Sequence, residues 1–565
     1  MSILDWIVLT GTMLAIVIYG AWKTRGPQNM QSYLLGDNEA KWWTIGFSVM
    51  ATQASAITFM STPGQAFHDG MGFVQFYFGL PFAMVIICIS FIPIYHRLKV
   101  YTAYEYLEQR FDLKTRSLTA FLFLFQRGLG AGITIYAPAI ILSTILGWNL
   151  NLLNGLLGGI VVLYTIGGGS KAVNATQQQQ MFVIMAGMFL AFFTTMSYLP
   201  EQVGFSEALS LAGSAGKLNI LDFSFDPESR YTFWSGITGG LFLALAYFGT
   251  DQSQVQRYLS GKSVRESQLG LIFNGLVKVP MQFFILFVGV MVFVFYQFNP
   301  SPVFFNEATV NKLKNTEAAP ELQMLQSKND SLFQRKRTLA FAVAEQGDKA
   351  SANAAHIEYR KVLNEEKTIR NEVKELVATH LPAEETNDKD YVFINYILAY
   401  LPKGLIGLLL AVIFSAAMSS TASELSALAT TSTIDIYKRS IRPGESDTHY
   451  LTATRWMKVL WGAIAITFAC AGSLFENLIQ FVNIVGSVFY GTILGIFLVA
   501  LYFKKVRSNA VFYAALLSET LVLVIFFSDV IGYLWLNFIG CVFVILFSHL
   551  FGGLDKSKQG HHVPS

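Results

Sequence analysis

Charge is what this 565-residue chain has least of. Asp, Glu, Lys and Arg make up 14% of it, against 53% hydrophobic residues and a mean hydropathy of +0.45. That balance excludes an ordinary soluble enzyme, and no catalytic residue is expected. The net charge of +3 says little about partners, because the placement of cations matters more than their sum; no nucleic-acid partner is expected. Cysteine is scarce too. Cys88, Cys470 and Cys541 all sit in apolar runs, so buried thiols are expected, without a disulfide or metal framework. His68 and the terminal pair His561–His562 have no companions at metal-ligand spacing. The glycine-rich stretch GIVVLYTIGGGSK lacks the P-loop pattern, which leaves ATP-driven chemistry without support. No basic stretch or cleavage site precedes the first apolar run, so no removable signal peptide is expected.

What the chain has is apolar length. Segments able to span a bilayer lie at 5–22, 43–60, 72–95, 118–146, 154–168, 177–199, 232–250, 269–298, 392–433, 456–473, 475–503, 509–527 and 531–551. The expected fold class is an all-α polytopic membrane protein of about 13 helices, embedded in membrane lipid. An outside N-terminus would put the short loops around Lys23, Arg25, Arg97, Lys99, Arg116, Arg257, Lys438, Arg439 and Lys504 in the cytoplasm, with the C-terminal tail. One stretch, 304–390, is polar. Its apolar positions Leu322, Leu325, Leu332 and Leu339, then Ile357, Val362, Ile369, Val373 and Leu376, predict two amphipathic helices split near Gln346–Asn353. A helical hairpin outside the membrane is expected, serving as a lid, a partner surface or an inert insertion. The chain thus divides into a leading helix and loop (1–42), a first membrane block (43–303), the hairpin (304–390), a second block (391–503), and two last helices with a tail (504–565).

Two apolar runs are interrupted by chemistry. In WWTIGFSVMATQASAITFMSTPGQAFHDG the polar ATQASA stretch falls at membrane depth, where exposed backbone is tolerated only if it lines a cavity. In SAAMSSTASELSALATTSTIDIYKR, Ala416, Ser419, Ser420 and Ser423 share one helical stripe at i, i+3, i+4 and i+7. Oxygens converging in this way suit a small hard cation, while small residues equally suit close helix packing. Glu424 lies beside the stripe, either functional or hydrogen-bonded to neighbouring helices. Arg127 lies about ten residues into its span. It is read as a binder of an organic anion, as the partner of an acid on another helix, or as a snorkelling cation.

These stretches, together with GTDQSQVQRYLSGKSVRESQLG, resemble the sodium/solute symporter family of sugar, proline, iodide and monocarboxylate carriers. VYTAYEYLEQRF and GITIYAPAIILSTILGWN resemble its iodide, monocarboxylate and multivitamin branch. The resemblance implies a leucine-transporter-like core of two inverted five-helix repeats. It also implies sodium as the coupling ion for a small organic solute, a monocarboxylate or other organic anion, in a multi-pass protein of the cell membrane. A sugar symporter, a proton-coupled carrier using Glu424 and a solute sensor are the alternatives.

Carried over by position, the family's sodium site falls on the carbonyls of Ala51 and Ala54 with Ala416, Ser419 and Ser420. The acidic residue of a second cation site falls on Gln177, leaving Ser423 and Glu424 as what remains of that region. Positions facing the solute fall on Gln53, Tyr77, Ala244, Tyr247, Lys278 and Asn483, joined by Arg127 from its own chemistry. Tyr247 occupies an inner-gate position. Lys278 either donates to the solute or snorkels to the surface.

Overall fold

The computed structural model describes residues 1–23, 29–345, 349–382, 384–471 and 478–559. Arg25 and the terminal histidines lie outside them. The membrane part runs α1 (Ile3–Lys23), α2 (Trp42–Gln53), α3 (Ala56–Asp69), α4 (Leu80–Ser90), α5 (Leu113–Leu146), α6 (Leu150–Ser197), α7 (Gly239–Gly249), α8 (Gln252–Leu259) and α9 (Val264–Phe298). After the hairpin helices α10 (Ala319–Ala344) and α11 (Lys349–His380) come α12 (Lys389–Tyr400), α13 (Leu405–Thr431), α14 (Asp447–Cys470), α15 (Leu478–Tyr502), α16 (Ser508–Ser528) and α17 (Leu534–Gln559). By length and composition, nine helices among the described residues could cross a membrane, or ten if one bent pair is a single span. Three of the thirteen apolar segments fall short of that measure. Segment 43–60 is split between α2 and α3, 154–168 belongs to the bent α6, and 456–473 carries no more than a modest apolar stretch beside Arg455 and Lys458. The bend in α6 is at Gly169, whose φ of +55° favours glycine; a Cβ there would stand 2.8 Å from the Tyr33 carbonyl oxygen.

Two helices are broken at depth. α2 and α3 part at Ala54–Ser55, and the segment Phe233–Gly249 meets α8 at 57°. The second break was not foreseen: the motif around Gln252–Leu259 reads as a loop, yet α8 is a helix buried along its whole length. Arg257 is therefore fully buried, not a cytoplasmic loop cation, and Arg116 lies inside α5 at 5% exposure. Arg116 binds Asp435 at 2.7 Å, which removes the need to face water. Cys88 and Cys541 are buried free thiols, whereas Cys470 is only half-buried because it ends α14 at its rim.

The hairpin forms as its periodicity predicts. Leu322 and Leu325 of α10 pack with Ile369, Val373, Leu376 and Val377 of α11 in a satellite core separate from the main one. Leu332 and Leu339 are only half-buried, and Ile357 is 59% exposed, since its turn of α11 faces away from that seam. Tyr359 Oη donates to Gln297 Oε1 at 3.0 Å and Arg360 Nε to the Ser214 carbonyl at 2.7 Å, so the hairpin is tied to the membrane part.

The leading helix is also tied in. α13 begins after Gly404 (φ +92°), and its first free amides point at α1. Asp5, fully buried, accepts from Gly404 N at 2.6 Å and Gly407 N at 3.3 Å. A carboxylate at a helix N-terminus satisfies orphan donors and complements the helix dipole. The contact is close: a Cβ on Gly407 would stand 2.1 Å from the Asp5 carbonyl oxygen. Asp5→Ala is expected to remove about 1–2 kcal/mol, the worth of a charged N-cap. Thermal unfolding of the detergent-solubilised protein should show a melting temperature lowered by a few degrees, with a larger loss for Gly407→Ala.

Candidate functional site

The break between α2 and α3 changes where backbone hydrogen bonds go. The Ser55 amide bonds the Gln53 carbonyl at 3.0 Å, and the Thr58 amide bonds the Ser55 carbonyl at 3.0 Å. In an uninterrupted helix those amides would take the carbonyls of Ala51 and Ala54. Both carbonyls are thereby released. α13 stands opposite: Ser419 Oγ lies 3.3 Å and Ser420 Oγ 3.5 Å from the Ala51 carbonyl oxygen. Ala416 lies one turn before Ser420 on the same face, and all five residues are buried. Released carbonyls beside hydroxyls form a hard oxygen donor set of the kind a broken membrane helix offers a sodium ion.

Beside this set the hydroxyls are already occupied. Gln177 Nε2 contacts Thr52 Oγ1 at 3.0 Å, Ser419 Oγ at 2.9 Å and Ser423 Oγ at 3.0 Å. Thr52 and Ser423 also bond each other at 3.1 Å, and Gln177 Oε1 accepts from Ser48 Oγ. A neutral amide thus fills the place between these oxygens. Ser423 and Gln177 are one network, and Glu424 is not part of it.

Glu424 turns instead toward Arg127. Its Oε1 takes Arg127 Nη1 at 3.1 Å, and its Oε2 accepts from Thr134 Oγ1 at 2.9 Å. Asp251, at the break between α7 and α8, receives Arg127 Nε at 3.0 Å and also its Nη2. Tyr490 Oη donates to Asp251 Oδ2 at 2.8 Å, and the guanidinium stands 5.2 Å from the centre of the Tyr247 ring. Of the three readings of Arg127, the structure has the pairing with acids; at 4% exposure it does not snorkel. One guanidinium and two carboxylates, all buried, leave the cluster with a net negative charge.

Four members of this cluster, Arg127, Glu424, Tyr247 and Tyr490, line a cavity. Gln53, Tyr77, Tyr247, Asn483 and Arg127 all line it, as do Thr52, Thr134 and Glu424. Gln254 Nε2 bonds Tyr247 Oη at 2.6 Å, holding the ring across the floor between α7 and α8. Lys278 and Ala244 are not among the lining residues. Lys278 is wholly buried on α9, so it does not snorkel, and its amine makes no hydrogen bond among the described residues. Asp251 and Tyr490 were missed in the sequence. The signal for Asp251 was present, since a buried arginine demands an acid and Asp251 directly follows an apolar run; Tyr490 carried none. Among the described residues no group of His, Cys, Asp and Glu could hold a metal ion.

Comparison with known proteins follows the same lines. The profile of the "Sodium:solute symporter family" matches residues 33–328 and 374–518. The chain is 35% identical over 273 residues to the mouse sodium-coupled monocarboxylate transporter 1; the match spans 48% of this chain and 44% of that relative's length. It is 25% identical over 529 residues to the sodium/glucose cotransporter of Vibrio parahaemolyticus, across 90% of this chain and 82% of that one. A solved structure of a Na+-coupled sialic acid symporter superposes with a TM-score of 0.75 at 21% identity, covering 98% of both chains, and so shares the leucine-transporter-like fold. With its two helices broken at depth and most of its length matched by that profile, this multi-pass membrane protein belongs to the sodium:solute symporter family, whose coupling ion is sodium.

Proposed function

We propose that this protein is a sodium-coupled symporter of a small monocarboxylate, working by alternating access, with its N-terminus outside the cell and its C-terminus in the cytoplasm. The observation that carries the reading is the pair of carbonyls, Ala51 and Ala54, released at the helix break beside Ser419 and Ser420. Sodium takes these oxygens with Ala416, and the adjoining cavity takes the solute. The monocarboxylate is supported by Arg127 in the cavity wall and by the likeness to monocarboxylate transporters.

Charge explains how the two bind together. The cavity's cluster is net negative without ligands, which opposes an anion. Bound sodium adds one positive charge and the solute one negative, so joint binding leaves the balance unchanged. Glu424 follows Ser420 by one helical turn, placing cluster and ion on adjacent turns of α13. At an effective dielectric constant near 20, charges roughly 10 Å apart interact by about 1–2 kcal/mol, or roughly five- to thirtyfold in affinity. Glu424 also holds Nη1 of Arg127 where a solute carboxylate would bind, so the solute exchanges with Glu424 at that edge. The full pairing of Arg127 supports a second reading, a neutral polyhydroxylated solute held by Gln53, Asn483 and Tyr247.

Sodium-driven uptake into proteoliposomes tests the ion site. Each lost hydroxyl ligand is worth about 1 kcal/mol, so Ser419→Ala with Ser420→Ala should raise the half-saturating sodium concentration at least roughly tenfold. Unchanged sodium dependence would refute the assignment. With Gln177 filling the neighbouring oxygens, the Hill coefficient for sodium should be near one. Gln177→Asp replaces the amide with a carboxylate in a hydroxyl cage and should steepen it. Glu424→Gln distinguishes the two solutes: for a monocarboxylate the half-saturating concentration should fall several-fold, because one edge of Arg127 is freed and a like charge is gone. A neutral solute would show no such gain.

A further inference from the structure

A second cavity, sharing no lining residue with the first, lies between α11 and the ends of α3 and α9. Its atom-free volume is about 1260 Å³. Six cations line it: Lys217, Lys336, Lys367, Arg370, Lys374 and Lys389. Three carboxylates answer them. Lys389 Nζ meets Asp69 at 2.6 Å, and Lys336 Nζ meets both oxygens of Glu366 at 2.9 Å. Asp388 faces Arg370 at 3.6 Å and Lys374 at 4.0 Å, with Oδ2 already bonded by the Phe305 amide at 2.8 Å. Lys217 Nζ donates to the His68 carbonyl at the end of α3. A positive surplus of about three charges is left, and the cavity walls keep it together.

The basic residues of α11 run from exposed Lys367 to buried Arg370 and half-buried Lys374. Lys367, Arg370 and Lys374 follow at i, i+3 and i+7, which stacks three like charges on one side of the helix, at a small cost to the helix itself. That side is turned into the cavity. Arg370 is only 7% exposed; its Nη2 donates to the Pro302 carbonyl at 2.7 Å and its guanidinium lies over the Phe305 ring, but Nη1 makes no hydrogen bond. The nearest acceptor to that edge, the Asp388 carboxylate at 3.6 Å, stands beyond hydrogen-bond reach, so its donors keep capacity for a ligand. The electrostatics agree: burial, with Lys367 and Arg370, pushes the Lys217 amine down to about 8 against the pull of Asp69 and Glu366.

We propose that this cavity binds a small, multiply charged oxyanion of the phosphate type from the aqueous side on which the hairpin lies. A surplus of several charges matches a multivalent ion better than a halide, and the open edge of Arg370 beside two amines matches oxygen acceptors held in a fork. The bound anion bridges α11 to the end of α3, the helix that begins at the break beside Ala54. It therefore clamps the hairpin onto the second half of the interrupted helix and biases its position.

The test uses the purified full-length protein in uncharged detergent, titrated with inorganic phosphate against sodium chloride at matched ionic strength. Phosphate should raise the melting temperature saturably beyond chloride. Lys367→Ala with Lys374→Ala, both reachable from solvent, should weaken this effect at least tenfold. Lys312→Ala, on a different face of the hairpin, should leave it intact. No shift beyond chloride, or an equal shift in the double variant, would overturn the proposal. So would stabilisation by phosphatidylglycerol nanodiscs with none by free phosphate, which would make the occupant a lipid headgroup.

Discussion

A helix interrupted inside a membrane must find new partners for every amide and carbonyl that the break releases, because hydrocarbon supplies none. Most of the arrangement around α2 and α3 follows from that constraint. The amides of Ser55 and Thr58 are satisfied by turning back on their own stretch of chain, which releases the carbonyls of Ala51 and Ala54; that of Ala51 meets α13. α13 meets them with serines where a packing helix would otherwise carry apolar residues. It is itself anchored, since its first amides are capped by Asp5 of the leading helix. The proposed ion site is a released piece of backbone set against α13.

Charge is the second constraint. A guanidinium in the membrane interior is expensive alone, and Arg127 is held by carboxylates from two other helices. Asp251 and Glu424 come from the second break and from α13, so this single side chain ties α5 to both elements that surround the cavity. These pairs hold the three elements to one another. The same is true at the far end of α13, where Arg116 joins Asp435 to Glu108.

The hairpin adds a polar layer on one side of the membrane part. Its seam is apolar and ordinary, but the face of α11 turned toward α3 is basic and only partly compensated. This places the hairpin beside the end of the interrupted helix.

Apolar length and helical period determined the class of protein, most of the spans and the two hairpin helices, because burial in lipid and in a helix seam each impose a regular pattern on sequence. Ala416, Ser419 and Ser420 were legible for the same reason: their spacing is that of one helix face. Family resemblance added Ala51 and Ala54, whose side chains carry no signal because the ligands proposed there are backbone carbonyls. The rest needed the tertiary structure. Nothing local says that Arg127 meets Asp251 and Glu424, separated from it by 124 and 297 residues in the chain. Nor does it say that Gln177 fills the hydroxyls of Thr52, Ser419 and Ser423. The buried helix at Gln252–Leu259 was hidden by its polarity, which reads as a loop until its partners are known. Pattern reports the environment a residue faces; only the fold decides which distant group stands there.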